Sequence, residues 1–165
     1  MAQLPDGLLI YTSTKAYKDL GPVAYRQWRS DSHCNQIHGY ALSFKVEFTS
    51  ATLDARNWVV DYGSLRPLKS LLEDWFDHTL LVAEDDPKRE VFENLAKEGL
   101  AKITLVEKTG CEGLAEFIIR YINEQWLPLY YPNSEVTCSR VEVRETGANM
   151  AYVEFYKDPN YVGEI

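Results

Sequence analysis

From Ala41 to Thr49 apolar and polar residues alternate, with Leu42, Phe44, Val46 and Phe48 falling on one side. Successive side chains of a strand point to opposite faces, so this segment is a β-strand with one buried face, and the rest of the chain must supply a core against it. Directly before it stands Cys34-Asn35-Gln36-Ile37-His38-Gly39-Tyr40, which sets a candidate nucleophile or base beside a candidate metal ligand at the mouth of the strand.

The remaining periodicities build an α+β domain around that strand. Residues 8–14 are rich in β-branched and aromatic side chains and predict a strand, and the short apolar run 57–62 predicts a strand end. Leu65, Leu68, Leu72, Trp75 and Phe76 share one face at helical spacing. Gly63-Ser64 supplies a break and a cap before them, and Pro67 lies in the first turn, where its missing N–H costs no helical bond. Asp86-Pro87 opens a second, more polar helix over 88–97, and Ile103 to Val106 reads as a short strand. Thr109-Gly-Cys-Glu112 has the form of a capping box. It opens a helix marked by Leu114, Phe117, Ile118, Tyr121, Ile122 and Trp126, with Pro128 after its end. Residues 136–146 and 149–156 are the closing strands, joined through Gly147-Ala148. The order strands, helix, helix, strands predicts an α+β class with helices packed on an antiparallel sheet, in a single domain over 1–165. A chain of that length buries roughly 70% of its unfolded surface.

With 17 Lys plus Arg against 25 Asp plus Glu the formal charge is -8, which argues against a phosphate-binding surface for nucleic acid. No apolar run approaches the roughly 20 residues of a membrane-spanning helix, so a membrane partner is not expected. Cys34, Cys111 and Cys138 follow no disulfide-framework spacing, and the first residues lack a basic segment followed by an apolar stretch, so a reduced, cytoplasmic protein is expected.

Period two puts Glu145 on the face of Val141 and Val143 rather than with Glu142 and Arg144. A carboxylate aimed at an apolar side must find a fixed donor or accept two parallel N–H bonds from a ligand; the other reading is a frayed strand end with Glu145 in water. Asp77-His78 sits where the apolar spacing of the first long helix ends, so His78 is either held by the helix dipole or a proton-transfer group. Cys34 is either a buried small apolar residue or a reactive thiol, and its neighbours Asp31, Ser32, His33 and Asn35 are all polar.

Taken in order, these fragments resemble one family, the 6-pyruvoyltetrahydropterin and 6-carboxytetrahydropterin synthases. Cys34 followed by His38-Gly39 and Tyr40 is similar to the family's catalytic Cys followed by His-Gly-His. Val60-Asp61-Tyr62 resembles its Val-Asp-Phe, and Asp77-His78 its Asp-His pair at a helix end. Thr109-Gly-Cys-Glu112-Gly-Leu-Ala115 resembles its Pro-Thr-x-Glu-Asn-Leu-Ala, and Glu145-Thr146 with Ala151-Tyr152 its terminal strand. The three-residue spacer between Cys34 and His38 resembles the bacterial 6-carboxytetrahydropterin synthases of the deazapurine (queuosine) route rather than the animal biopterin enzymes.

The resemblance implies the tunnelling fold, a four-stranded antiparallel sheet with two helices packed on one face, and a trimer-based homo-oligomer of three or six subunits, with active sites at subunit interfaces. It implies a lyase converting 7,8-dihydroneopterin triphosphate to 6-carboxytetrahydropterin or a related tetrahydropterin. Cys34, Asp77 and His78 would be catalytic, Glu145 and Glu112 would bind the substrate, and a zinc ion would act as a Lewis acid. The family holds zinc with three histidines. Here His38 is one, and Tyr25 of Ala24-Tyr25-Arg26 and Tyr40 stand at the other two positions, where a neutral phenol is a poor zinc ligand beside imidazole. His33, with Asp31 as a further donor, could replace a lost ligand. The segment 84–108 is longer than in the bacterial pattern, and its acidic run Glu84-Asp85-Asp86 reads as a solvated loop. Two functions follow: the lyase, or a metal-free pterin- or purine-binding protein of the same fold.

Overall fold

The structure, a computed structural model, describes residues 9–18 and 20–156. Among these residues the chain forms strands β1 (Tyr11–Tyr17), β2 (Pro22–Tyr25), β3 (His38–Ala41), β4 (Ser43–Ser50), β5 (Thr79–Ala83), β6 (Lys102–Val106), β7 (Thr137–Arg144) and β8 (Met150–Glu154). The helices are α1 (Arg66–Phe76), α2 (Arg89–Lys97), α3 (Cys111–Tyr121) and α4 (Leu127–Tyr130). One sheet is antiparallel in the order β1-β4-β7-β8; the other runs β3-β2-β5-β6, with β3 antiparallel to β2 and β5 and β6 parallel to it and to each other.

The α+β class and the four-stranded antiparallel sheet carrying helices are as expected. Leu42, Phe44, Val46 and Phe48 are all buried, and Phe76 of α1 stacks on Phe44 at 4.8 Å. α3 lies across β7 and β8, and its Leu114, Ile118 and Ile122 stripe is fully buried. Among the described residues no helix is long and apolar enough to cross a membrane.

The second sheet is an addition, α2 and β6 form where the helix over 88–97 and the strand at Ile103 to Val106 were expected, and several local expectations change. The alternating segment is two strands: β3 ends at Ala41 in the mixed sheet, and β4 starts at Ser43 in the antiparallel one. Alternation is blind to such a switch because each half keeps one side less exposed than the other, half-buried at His38 and Tyr40 in β3 and buried at Phe44, Val46 and Phe48 in β4. β5 carries no alternation because a strand parallel to both its neighbours is covered on each side and reads as a plain apolar run. Residues 57–61 are not a strand end but a loop, in which Asp54 Oδ1 accepts the N–H of Arg56 at 2.8 Å and of Trp58 at 3.0 Å. Asp61, not Ser64, caps the following 3-10 turn (Tyr62–Leu65), accepting the Gly63 N–H at 2.8 Å.

The capping box does not form. Gly110, at φ 93°, is the N-cap of α3, and the Thr109 hydroxyl donates instead to the Arg26 carbonyl at 2.8 Å. Nor does the helix stop before Pro128, because a π-helical turn over Ile122–Trp126 ends with the Leu127 N–H on the Ile122 carbonyl. Pro128 then occupies the first turn of α4, where its missing N–H is tolerated. Of the first predicted strand, residue 8 lies outside the described residues and the remainder begins at Tyr11.

The π turn also serves the sheet. The register between β4 and β7 shifts between Glu47 and Phe48, which pair with Arg140 and Cys138 and leave Ser139 as the extra residue of a bulge. Asn123 covers the backbone beside that bulge: its Oδ1 accepts the Cys138 N–H at 2.9 Å and its Nδ2 donates to the Cys138 carbonyl at 2.9 Å. Asn123→Ala leaves both groups without a partner beside a fully buried residue, so urea denaturation should show a loss of about 1–3 kcal/mol.

Candidate active site

Two sheet ends bring the chemistry together. Tyr25 closes β2 and is paired in register with His38 at the start of β3, while Val23 pairs with Tyr40. Period two therefore puts Tyr25, His38 and Tyr40 on one face, and their rings meet with centroids 5.3 Å (Tyr25–His38), 5.5 Å (His38–Tyr40) and 6.0 Å (Tyr25–Tyr40) apart. Glu145 follows the last residue of β7 and comes to the same place: the Tyr25 hydroxyl donates to Glu145 Oε1 across 120 residues of sequence. Tyr25 is fully buried and Glu145 half-buried, so the carboxylate turned to the apolar side has found a fixed donor.

Burial, and then the bond to Glu145, raise the Tyr25 hydroxyl far above its ordinary range, so it stays a protonated donor. Tyr40 is raised in the same direction by burial, then by Glu145, Cys34 and Cys111, which places those groups in one neighbourhood. Cys111, at the start of α3, is buried; desolvation first, then Glu145 and Glu112, push its thiol up to about 12. Cys111 is the member of this cluster that sequence reasoning did not single out. The only signal was its place one residue before Glu112.

The other candidate residues lie around this cluster. Cys34 is half-buried on a 3-10 turn (His33–Asn35) capped by Ser32, whose Oγ accepts the Cys34 N–H at 3.2 Å. His38 Nδ1 donates to the Gln36 carbonyl at 2.7 Å, which assigns the proton to Nδ1 and leaves Nε2 as an acceptor. His78, at φ 53°, bonds Asp77 Oδ1 through Nδ1 at 2.6 Å, and its backbone N–H reaches the Pro22 carbonyl at 2.9 Å. Gly21 makes room for the pair: at its φ of 95° an added Cβ would lie 1.7 Å from Asp77 Oδ1. His78 and Tyr40 line one open groove of about 500 Å³ across Pro22, Gly39, Thr79 and Lys102. His33 and Glu112 are exposed.

The donor set does not fit a zinc ion held as the resemblance implies. His38 offers one imidazole nitrogen, but both tyrosines are kept in the neutral phenol form and the Tyr25 proton is committed to Glu145. Among the described residues no three His, Cys, Asp or Glu side chains gather into a metal-binding group.

The acidic run is not simply solvated either. Asp86 is buried and accepts two bonds from Arg26, at 2.7 Å and 2.8 Å, and the guanidinium holds its carboxyl below the usual carboxylate range. Asp85 is exposed and pairs with Arg29 at 2.5 Å.

A family model described as 6-pyruvoyl tetrahydropterin synthase matches residues 22–155, which include every residue of this cluster. The chain belongs to this family. The 6-pyruvoyl tetrahydropterin synthase family is lyase-type, and its tunnelling fold is the one seen here. Among solved structures, an uncharacterised protein from Wolinella succinogenes superposes with a TM-score of 0.73 at 20% identity, over 88% of this chain and 98% of that one. The Caenorhabditis elegans 6-pyruvoyl tetrahydropterin synthase gives 0.58 at 20% identity, over 94% and 100%. A catalytic-residue mutant of the Plasmodium vivax 6-pyruvoyltetrahydropterin synthase gives 0.63 at 15%, over 88% and 97%. At these identities the likeness is one of fold. No curated protein matches the chain.

Two outcomes follow from the Tyr25, Glu145 and Cys111 cluster. Tyr25→Phe removes the donor to a half-buried carboxylate and should cost about 1–3 kcal/mol in urea denaturation at pH 7. The Cys111 thiol has a higher pKa folded than unfolded, so its contribution is complete below pH 9 and is lost as pH rises toward about 12. Stability measured across that interval should fall less steeply in Cys111→Ala, by up to about 1.4 kcal/mol per pH unit.

Proposed function

We propose that the chain is a tetrahydropterin-forming lyase acting on 7,8-dihydroneopterin triphosphate, with 6-carboxytetrahydropterin of the queuosine route as product. The supporting observation is the Glu145 carboxylate, held by Tyr25 beside Cys34, His38 and Tyr40. An ionised carboxylate offers about four acceptor positions. Tyr25 takes one and the Cys111 thiol lies against it, which leaves room for two parallel N–H bonds from the aminopyrimidine edge of a pterin. Glu112, exposed at the start of α3, would add to that substrate site. Cys34 and the free Nε2 of His38 would move protons at the side-chain carbon next to the ring, with His78, oriented by Asp77, as a further proton carrier from the groove it shares with Tyr40. No step is routed through zinc, because two of the three ligand positions are phenols. The reading includes a trimer-based homo-oligomer, supported by β1 and β8 standing as the two open edges of the antiparallel sheet.

The commitment of the Tyr25 hydroxyl to Glu145 also favours a second reading, a metal-free pterin- or purine-binding protein. Purified protein incubated with 7,8-dihydroneopterin triphosphate, with and without a chelator, separates the two. The lyase gives 6-carboxytetrahydropterin in both, and Cys34→Ala lowers the rate at least about a hundredfold. Pterin binding without product supports the second reading, and absence of both sinks the pair. In either case Glu145→Gln should weaken pterin binding by about ten- to a hundredfold in calorimetric titration.

A further inference from the structure

Arg26 follows Tyr25 at the end of β2, and four of its five N–H donors are engaged. Nε and Nη2 donate to the two carboxylate oxygens of Asp86 at 2.8 Å and 2.7 Å, and Nη1 donates to Asn35 Oδ1 at 2.9 Å and the Asn35 carbonyl at 3.3 Å. Asp86 is fixed in turn, because its Oδ1 accepts the Lys88 N–H at 2.8 Å just before α2, and its side chain is only 2% exposed. The Arg26 backbone carbonyl takes the Thr109 hydroxyl at 2.8 Å, next to the start of α3. One residue thus ties β2, the segment carrying α2 and the approach to α3 to Asn35, the neighbour of Cys34. A second tether sits on the other side of the Cys34 peptide, whose carbonyl accepts the Gln27 N–H at 2.9 Å.

We propose that Arg26 is a positioning residue, which with Asp86 of the inserted segment holds the turn bearing Cys34 against the site. The proposal rests on the reading of Cys34 as a proton-moving group. Segment 84–108 is then a brace for the reacting thiol rather than a surface loop. The task is specific to a guanidinium: a planar fork can serve a carboxylate and an amide together, whereas an ammonium is a point charge that satisfies one or the other. Burial makes the clasp selective, since the neighbouring Arg29–Asp85 pair at 2.5 Å spans the same two segments but is exposed and screened by solvent.

The test is alkylation of the native protein by iodoacetamide, read cysteine by cysteine in digested peptides, on the wild type, Arg26→Lys and Asp86→Asn. Cys111 and Cys138 are buried and serve as internal controls for the integrity of the fold. The expected result is Cys34 labelling at least about tenfold faster in both variants with the two buried cysteines still protected, and kcat at least about tenfold lower with KM for 7,8-dihydroneopterin triphosphate within about twofold. Cys34 labelling within twofold of the wild type in the folded variants overturns the proposal. So does a rise shared equally by all three cysteines, which would mark Arg26 as a general stabiliser. Should Asp86→Asn fail to fold, Arg26→Lys carries the test, because it keeps a cation facing Asp86. Labelling does not depend on turnover, so failure of the substrate reading and failure of the positioning role are told apart.

Discussion

The Tyr25 hydroxyl at the end of β2, in the mixed sheet, meets the Glu145 carboxylate just after β7, in the antiparallel one, and each makes the other's position tenable. A half-buried carboxylate without a donor, or a fully buried phenol without an acceptor, would carry a desolvation cost of several kcal/mol. Paired, the phenol stays protonated, so it remains the donor of this bond through the physiological pH range. Its geometric effect is to set β2 against the end of β7. The position of β2 in turn sets β3, because Tyr25 pairs with His38 and Val23 with Tyr40, so the three-ring cluster is placed by the same contact.

The parts of this arrangement that could be read in the chain are those with short-range signatures. Glu145 declared its side of the strand through Val141 and Val143, and α1 declared its buried face through Leu68, Leu72 and Phe76. What escaped was decided by partners far away in sequence. Nothing in residues 38–50 marks Leu42 as the point where the chain leaves one sheet for the other. β5 hid as a plain apolar run because four of its five residues are buried, with neither face left clearly polar. Thr109 looked like a cap for α3 because its spacing to Glu112 is right, yet the Arg26 carbonyl, 83 residues away, took its hydroxyl. Asp86 looked solvated beside Glu84 and Asp85, and only the arrival of Arg26 makes its burial affordable. Of the site, the face shared by Tyr25, His38 and Tyr40 follows from the register, whereas the commitment of the Tyr25 proton to Glu145 follows from three-dimensional packing alone.

The charges of the inserted segment sort by burial. Asp85 and Asp86 are adjacent and each faces an arginine, but the first pair lies in water, where screening and side-chain entropy leave it contributing little. The second is withdrawn from water, and a buried ion pair of that kind stabilises little against an apolar substitute while being costly to break from one side. Such a pair is better understood as fixing one arrangement than as supplying stability. What it fixes includes Asn35, and so the inserted segment cannot shift relative to β2 without disturbing the turn on which Cys34 sits.

Tyr25 and Tyr40, which stand where the resemblance implies histidine ligands, leave a site of different donor chemistry. A zinc ion would gather its donors by withdrawing electron density from them, and neutral phenols resist this because ionising either one beside Glu145 would set two negative charges against each other in a partly desolvated place. The carboxylate, by contrast, loses little to its new partner. Tyr25 occupies a single lone-pair direction of Oε1, and a planar ring presenting two parallel N–H groups needs only one outward direction on each oxygen. On the proposed reading, phenols in place of imidazoles would act on metal affinity far more than on recognition of a heterocycle. Tyr25 also brings a firm hold on the Glu145 carboxylate, a role that elsewhere in the protein falls to the Arg26 guanidinium on Asp86.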